Sequence, residues 1–210
     1  MHIDIASLDA VLFSFYWLDI QDVKKYLAQK EASNAVFSED VNIEPLLNLQ
    51  YAYNPNPARA AFFSVANGAT IMFPNLQDGW ITLFNNITNG LNAKACNIKI
   101  IDYNKIVDPG AYLWYVENSH RRIVYTLKED RWVFWQEGCP QSFENTAYYS
   151  ARQKKDRLNK NILLEYCENL GILKNGAITF NLNNAFSYEL FWTGKFANSK
   201  GTGAASFTRK

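Results

Sequence analysis

Short apolar runs separated by polar turns make up most of the hydrophobic pattern of this chain. From Leu8 to Leu18 the apolar residues occupy both sets of alternating positions, which is typical of an inner strand covered on both faces. Behind it, Asp19 is a candidate N-cap for helical spacing over residues 20–30. The pattern therefore predicts a buried strand followed by a short helix.

A hairpin and a second helix are predicted next. Asn67-Gly68 separates two apolar runs, residues 61–66 and 69–73, and this dipeptide favours the positive φ angles of a type I′ turn. After it, Asp78 precedes apolar positions with helical spacing up to Leu91, so we expect an amphipathic helix lying against the sheet.

Four further apolar segments suggest a meander. Residues 96–102 show strand character, and the segments 112–116, 123–127 and 132–135 follow with only short polar turns between the last three. Short connections favour antiparallel neighbours. Alternation within these strands leaves both faces apolar, so either helices cover both faces or one face is a partly exposed docking surface.

The densest run of signals covers residues 131–172, where an aromatic strand leads through a turn into basic and helical segments. Asn145 is a candidate cap for one segment, Asn159 caps a predicted helix, and Gly171 lies where a left-handed C-cap residue is common. Beyond it, the apolar pieces 178–182 and 188–192 are expected to close an edge of the sheet.

Together these elements predict an α+β fold, a mostly antiparallel sheet of meander and hairpins packed with three to four helices. We expect a single domain over residues 1–196, in which residues 31–57 form a long irregular connection punctuated by prolines. Residues 197–210, rich in Gly, Ser, Lys and Ala, are expected to be a flexible tail.

Composition and charge narrow the functional classes. The 210 residues include 21 basic and 20 acidic side chains, so no global field draws the protein to nucleic acid or an anionic membrane. The longest strongly apolar run, residues 10–18, is too short to cross a bilayer. Three widely spaced cysteines predict free thiols in a reducing, cytoplasmic location. Aromatic residues make up 15% of the chain, which is high and suits either a large core or a binding surface.

The residue types of this chain give little indication of a catalytic site. The chain has two histidines, and His120 stands in a polar turn, so no nucleophile and base pair, metal site or cofactor motif is predicted. A small hydrolase that uses carboxylates near the aromatic strands, such as Glu137 and Glu144, remains an alternative. A second alternative is a nucleic-acid or ligand-binding accessory protein that uses the basic run 152–160.

About half of the chain resembles bacterial immunity proteins found beside polymorphic or contact-dependent toxins. The similar motifs are Asp78-Gly79-Trp80, Arg131-Trp132-x-Phe134, Gly138-x-Pro140-x-x-Phe143-Glu144, Tyr149, Arg152, Lys155-Asp156-Arg157-Leu158, Tyr166 and Leu170-Gly171-Ile172. Members of this group are small cytosolic proteins that bind and neutralise a cognate toxin domain. For this chain we expect no cofactor, no metal and no membrane.

The resemblance implies that the chain acts by stoichiometric binding, in which aromatic and arginine side chains provide most of the binding energy. The partner would be the cognate toxin domain, and nucleic acid is not expected. The candidate anchors are Trp114, Tyr115, Arg121, Arg122, Trp135 and Tyr149.

Overall fold

The computed structural model describes residues 1–30, 34–47, 55–65, 68–102 and 109–191. Its strands are β1 His2–Asp4, β2 Ala10–Tyr16, β3 Ala35–Ser38, β4 Ala58–Val65, β5 Thr70–Pro74, β6 Ala95–Ile101, β7 Gly110–Glu117, β8 His120–Lys128, β9 Trp132–Glu137 and β10 Ala177–Leu190. Its helices are α1 Ile20–Gln29, the single turn α2 Glu44–Leu47, α3 Ile81–Gly90 and α4 Lys160–Asn169. Short 3-10 turns cover Ile5–Ser7, Thr146–Ser150 and Lys154–Asp156.

All ten strands join one sheet in the order β1-β10-β4-β5-β2-β6-β7-β8-β9, with β3 also paired to β10. Every described pairing is antiparallel, so the predicted α+β class with a mostly antiparallel sheet is confirmed. Every residue of β2 is buried, as its two-sided apolar pattern predicts.

Each face of the sheet packs a separate core. On one side, which we call the α3 face, helices α1 and α3 cover strand residues that include Tyr16 and Phe62, and α3 contributes Phe84 to the same core. On the other side, the α4 face, α4 and the segment before it cover strand residues that include Phe13, and α4 contributes Tyr166. Alternate strand residues therefore enter different cores.

The helix ends follow the predicted capping chemistry in two of three cases. Asp19 Oδ1 accepts from Gln21 N at 2.8 Å, and Asn159 Oδ1 accepts from Ile162 N at 3.1 Å. At α3, however, the capping position is Trp80, at a left-handed φ of 51°, and the Asp78 carboxylate instead accepts from Trp80 N at 2.8 Å. Asn145 caps the 3-10 turn Thr146–Ser150 rather than an α-helix.

Tertiary pairing changes the description of residues 31–57. The sequence predicts a long irregular connection here, in which a brief helix could start at Pro45. The described part contains the single turn α2 at that place and, in addition, the strand β3. Strand β3 pairs with the last residues of β10, from Ser38↔Ser187 to Ala35↔Leu190. A short strand of this kind depends on a partner far away in the chain, which local sequence does not reveal.

The two apolar pieces 178–182 and 188–192 were expected to close a sheet edge, and this expectation is wrong. Residues 177–190 form the single strand β10, which lies inside the sheet between β4 on one side and β1 with β3 on the other. The polar residues that separate the two apolar pieces lie in a bulge between Asn181 and Phe186, where the register of β10 shifts. Trp192 and the predicted tail 197–210 lie outside the described residues.

Candidate functional site

Strands β7, β8 and β9 form a meander whose register lines up aromatic side chains. Asn118 and Ser119 make a two-residue turn with φ angles of 50° and 63°, the geometry of a type I′ hairpin. The register then places Tyr112 opposite Tyr125, and Tyr125 opposite Trp135. The rings of the two tyrosines stack with centroids 6.1 Å apart and an interplanar angle of 27°.

These three residues belong to a larger apolar surface on the α3 face of the meander, which we call the meander face. Its members are Tyr112, Trp114, Ile123, Tyr125, Leu127, Val133 and Trp135. Six of them are half-exposed and Trp135 is 40% exposed, whereas Leu12 of the central strand, on the same side of the sheet, is 1% exposed. The difference arises because α1 and α3 pack over β10, β4 and β6, and no helix of the described chain covers β8 and β9 on this side.

Charged groups border the meander face. Lys99 of β6 stands opposite Tyr112 in the register. Arg121 Nε donates to Glu137 Oε1 at 2.8 Å, and both side chains are substantially exposed. Burial of the Tyr112 ring raises the pKa of its phenol above the ordinary value.

Trp114 links the meander face to the helical core. Its ring packs edge-on against Phe84 of α3, with centroids 5.8 Å apart. Its indole Nε1 is buried and has no acceptor among the described residues, and the buried Oδ1 of the neighbouring Asn97 has no donor among them. The Asn97 Nδ2 group does donate to Ser14 Oγ at 2.8 Å. Because Trp114 Nε1 and Asn97 Oδ1 are both inaccessible to solvent, they belong to the packed interior and do not line an accessible pocket.

Tyr115 points into the opposite core and is 4% exposed. Its hydroxyl donates to Glu117 Oε2 at 2.7 Å, and Lys94 Nζ lies 3.1 Å from Glu117 Oε1. The hydrogen bond from Tyr115, followed by the interaction with Lys94, lowers the pKa of Glu117. The Lys94 ammonium also lies 4.8 Å from the centroid of the Trp17 ring. Tyr115 is therefore a core residue and not an exposed anchor.

Arg122 is the largest fully buried side chain among the described residues, and Glu144 compensates its charge. Arg122 Nε lies 2.9 Å from Glu144 Oε1, and Nη2 lies 2.8 Å from Glu144 Oε2. The remaining guanidinium hydrogens donate to Gln136 Oε1 at 2.9 Å and to Gly138 O at 2.8 Å. Tyr149 completes the cluster by donating to Glu144 Oε2 at 2.6 Å.

Ionisation in this cluster follows from burial and pairing. Burial by itself lowers the pKa of Arg122, but the hydrogen bonds and charge of Glu144 outweigh it and hold this pKa above its ordinary value. Burial, and then the hydrogen bond to Glu144, raise the pKa of Tyr149. Arg122 and Tyr149 thus tie β8 to the segment after β9, and both of these predicted anchors are buried.

The candidate anchors therefore separate by exposure. Arg121 and Trp135 are exposed and Trp114 is half-exposed, all on the α3 face, whereas Tyr115, Arg122 and Tyr149 are buried on the α4 face. Tyr112 and Tyr125 are half-exposed residues of the same face, and they are not among the anchors predicted from the sequence. The sequence feature that indicates Tyr112 is the alternation of strand side chains, which places Tyr112 on the same face of β7 as Trp114.

The carboxylates proposed for a hydrolase do not meet in a pocket. Glu144 is enclosed by Arg122 and Tyr149, and Glu137 pairs with Arg121 at the surface. A cavity of about 490 Å³ lies elsewhere, and its apolar floor includes Phe15, Val65, Ile172 and Ile178. The polar residues that line this cavity are His2, Lys174, Asn175 and Thr179, so it contains no carboxylate pair.

The basic run 152–160 is partly used in internal contacts. Arg157 Nε donates to Ala151 O at 2.9 Å, and its guanidinium lies 5.5 Å from the centroid of the Phe134 ring. Lys160 Nζ donates to Leu8 O at 2.8 Å. These contacts favour a structural role for two of the cations that were considered for phosphate binding.

The part of the chain that the structure describes contains no group of three His, Cys, Asp or Glu side chains that could hold a metal ion. No described helix combines the length and apolar character that a bilayer span requires.

Comparison with known proteins adds no relative. No family model matches the chain, and neither a curated protein nor a solved structure matches it.

Proposed function

We propose that this protein is an immunity protein, which binds a cognate bacterial toxin domain in the cytoplasm and neutralises it stoichiometrically through the meander face. The observation that carries the proposal is the row Tyr112, Tyr125 and Trp135, which runs across three neighbouring strands and remains partly exposed. Contiguous exposed apolar surface rimmed by polar residues is typical of protein-interaction sites.

The chemistry of this surface suits a protein partner. Tyr and Trp provide large rigid contact areas with a polar group at the edge, and they are enriched among the residues that dominate interface energetics. The pair formed by Arg121 and Glu137 lies beside Trp135 and provides a charged rim that can select orientation. The rigid sheet below holds these groups in place, which reduces the entropy lost on binding.

Neutralisation would follow from coverage of the toxin's active site or from distortion of its fold. The buried cluster of Arg122 and Glu144 supports this role indirectly, because it attaches the back of the meander to the α4 layer and keeps the strands in register. The binding surface is thus an inflexible platform rather than a loop that orders on contact.

The direct experiment starts from the gene beside the one that encodes this chain. A toxin domain encoded there should copurify with the protein, and co-expression should restore growth of cells that produce the toxin. With an inactivated toxin domain, Trp135→Glu should weaken binding by about 30-fold in calorimetry, since an aromatic hot-spot residue contributes about 2 kcal/mol.

Leu182→Glu is the matched control, because Leu182 is 55% exposed but lies in the β10 bulge, far along the sheet from the meander. It should leave toxin affinity unchanged. Equal losses for both variants would remove the meander face from the interface. Absence of any neighbouring toxin gene, together with failure to rescue growth, would contradict the function itself.

A further inference from the structure

The two edges of the sheet differ in whether short strands cover the outer long strand. Beyond β10 the edge is occupied by β1 over residues 177–179 and by β3 over residues 187–190, and the bulge lies between them. Beyond β9, by contrast, the described residues place no strand. Natural sheets commonly protect an edge strand with a lysine, a proline or a bulge, and the sequence Trp-Val-Phe-Trp-Gln-Glu of β9 contains no lysine or proline.

The hairpin geometry determines which backbone groups of β9 face outward. In a two-residue hairpin the closing pair, here Glu117 and His120, exchanges both backbone hydrogen bonds. Even-numbered residues of β8 therefore bond to β7, and odd-numbered ones bond to β9. Since Tyr125 pairs with Trp135, the backbone groups of Phe134 and Gln136 point away from the sheet.

A second copy of the chain can pair with this edge only in certain registers. Outward-facing residues must lie opposite each other across a two-fold axis. Axes through Trp135 and through Phe134 meet this condition with equal overlap, five residues of β9 each, and only the axis through Phe134 brings opposite charges together. That register brings Gln136 opposite Trp132 of the second copy. It also brings Arg131, which directly precedes β9, opposite Glu137 of the second copy at both ends of the contact.

The charge pairing is the feature that favours a second copy over an unrelated strand. The pair of Arg131 and Glu137 occupies a non-hydrogen-bonded position, where side chains approach most closely, and it occurs twice because of the symmetry. The same register places Trp135 beside Val133 of the second copy, so apolar surface on the α3 face continues across the axis.

From this geometry we propose that two copies of the protein associate by antiparallel pairing of their β9 edges, about a two-fold axis through Phe134. The contact extends the sheet of one copy into that of the other and joins their meander faces into one surface. It is independent of the toxin proposal, because the backbone edge and the two charge pairs make the contact without any third protein.

Cross-linking tests the axis. In a Cys139→Ser background, which removes the exposed thiol, Phe134→Cys should form a covalent dimer under mild oxidation, because paired Cα atoms about 5.5 Å apart suit a disulfide. Gln136→Cys is the matched control: its counterpart in the second copy is displaced by four residues, about 13 Å along the strand, and should not cross-link. Efficient cross-linking through Trp135→Cys instead would overturn the proposed register.

Charge exchange tests the contact without cysteine. Light scattering over a concentration series should show a dimer, and Arg131→Glu should raise its dissociation constant about tenfold by creating two like-charge pairs. Glu137→Arg should do the same, whereas a mixture of the two variants should restore the dimer, since both of its pairs are then attractive. Circular dichroism of each variant establishes that it remains folded. A monomeric parent chain at all concentrations, or a mixture no tighter than the single variants, would overturn the proposal.

Discussion

The adjacent residues Arg121 and Arg122 allow a buried ion pair to be compared with an exposed one in its effect on the free energy of unfolding. The side chain of Arg122 is 1% exposed, and that of Glu144 is 0% exposed. Replacing Arg122 with Met leaves the Glu144 carboxylate in the protein interior with only the Tyr149 hydroxyl and Gln141 N as close donors. Breaking a buried ion pair on one side costs about 3–5 kcal/mol.

The matched control is Arg121→Met, which removes the same side chain one position away. Arg121 pairs with Glu137 in contact with solvent, and exposed ion pairs contribute less than about 1 kcal/mol. Urea unfolding followed by circular dichroism measures both free energies. With a dependence of about 2 kcal/mol per molar urea, Arg122→Met should lower the midpoint by about 2 M, and Arg121→Met by less than about 0.5 M.

A double-mutant cycle separates the pair from general packing. The variant Arg122→Met with Glu144→Leu removes both charges, so it should cost about 2 kcal/mol less than the sum of the single variants. Additive losses, or equal losses for Arg121→Met and Arg122→Met, would refute the buried pair as the element that holds the meander against the α4 layer.

Two further predictions concern pH and backbone conformation. Burial raises the pKa of Tyr16, Tyr115 and Tyr149 above that of an unfolded tyrosine. Their contribution to the free energy of unfolding is therefore complete below about pH 10 and is lost as the pH rises further. Urea midpoints measured between about pH 8 and 11 should fall at the alkaline end, and they should fall less steeply in Tyr149→Phe. In the same urea assay, Gly138→Ala should destabilise the protein more than Gly171→Ala. Both glycines have left-handed φ angles, 79° and 72°, but only at Gly138 would an added Cβ meet the Arg121 carbonyl oxygen, at 2.2 Å. Similar losses of stability for the two variants would mean that the chain after β9 does not approach Arg121 this closely.

Prediction from sequence succeeded where local chemistry was sufficient. The caps Asp19 and Asn159, the strand 10–16 and the meander strands all follow from patterns that span a few residues, and the structure contains each of them. Prediction failed for β3 and for β10, because each depends on pairing with residues more than a hundred positions away or on a bulge that interrupts the period.

The candidate site illustrates the same division. Alternation alone indicated that Arg121 and Arg122 project to opposite sides of β8, since successive strand residues do. Which side is solvent could not be read from that alternation, because both faces of the meander are apolar. The sequence therefore predicts Arg122 as an anchor together with Arg121, and Arg122 is buried because α4 and the segment around Glu144 cover its face of the sheet.

By itself, the sequence determined the residue types, their alternation and the turns that set the meander register, and hence the row of Tyr112, Tyr125 and Trp135. Those features depend on covalent geometry and short-range hydrogen bonds, which act wherever the strand lies. Only the tertiary structure decided which core each face enters, which edge of the sheet has no further strand among the described residues, and which aromatic side chains meet water. These outcomes depend on where the described helices and short strands pack, and that packing is set by the balance of buried area over the whole chain.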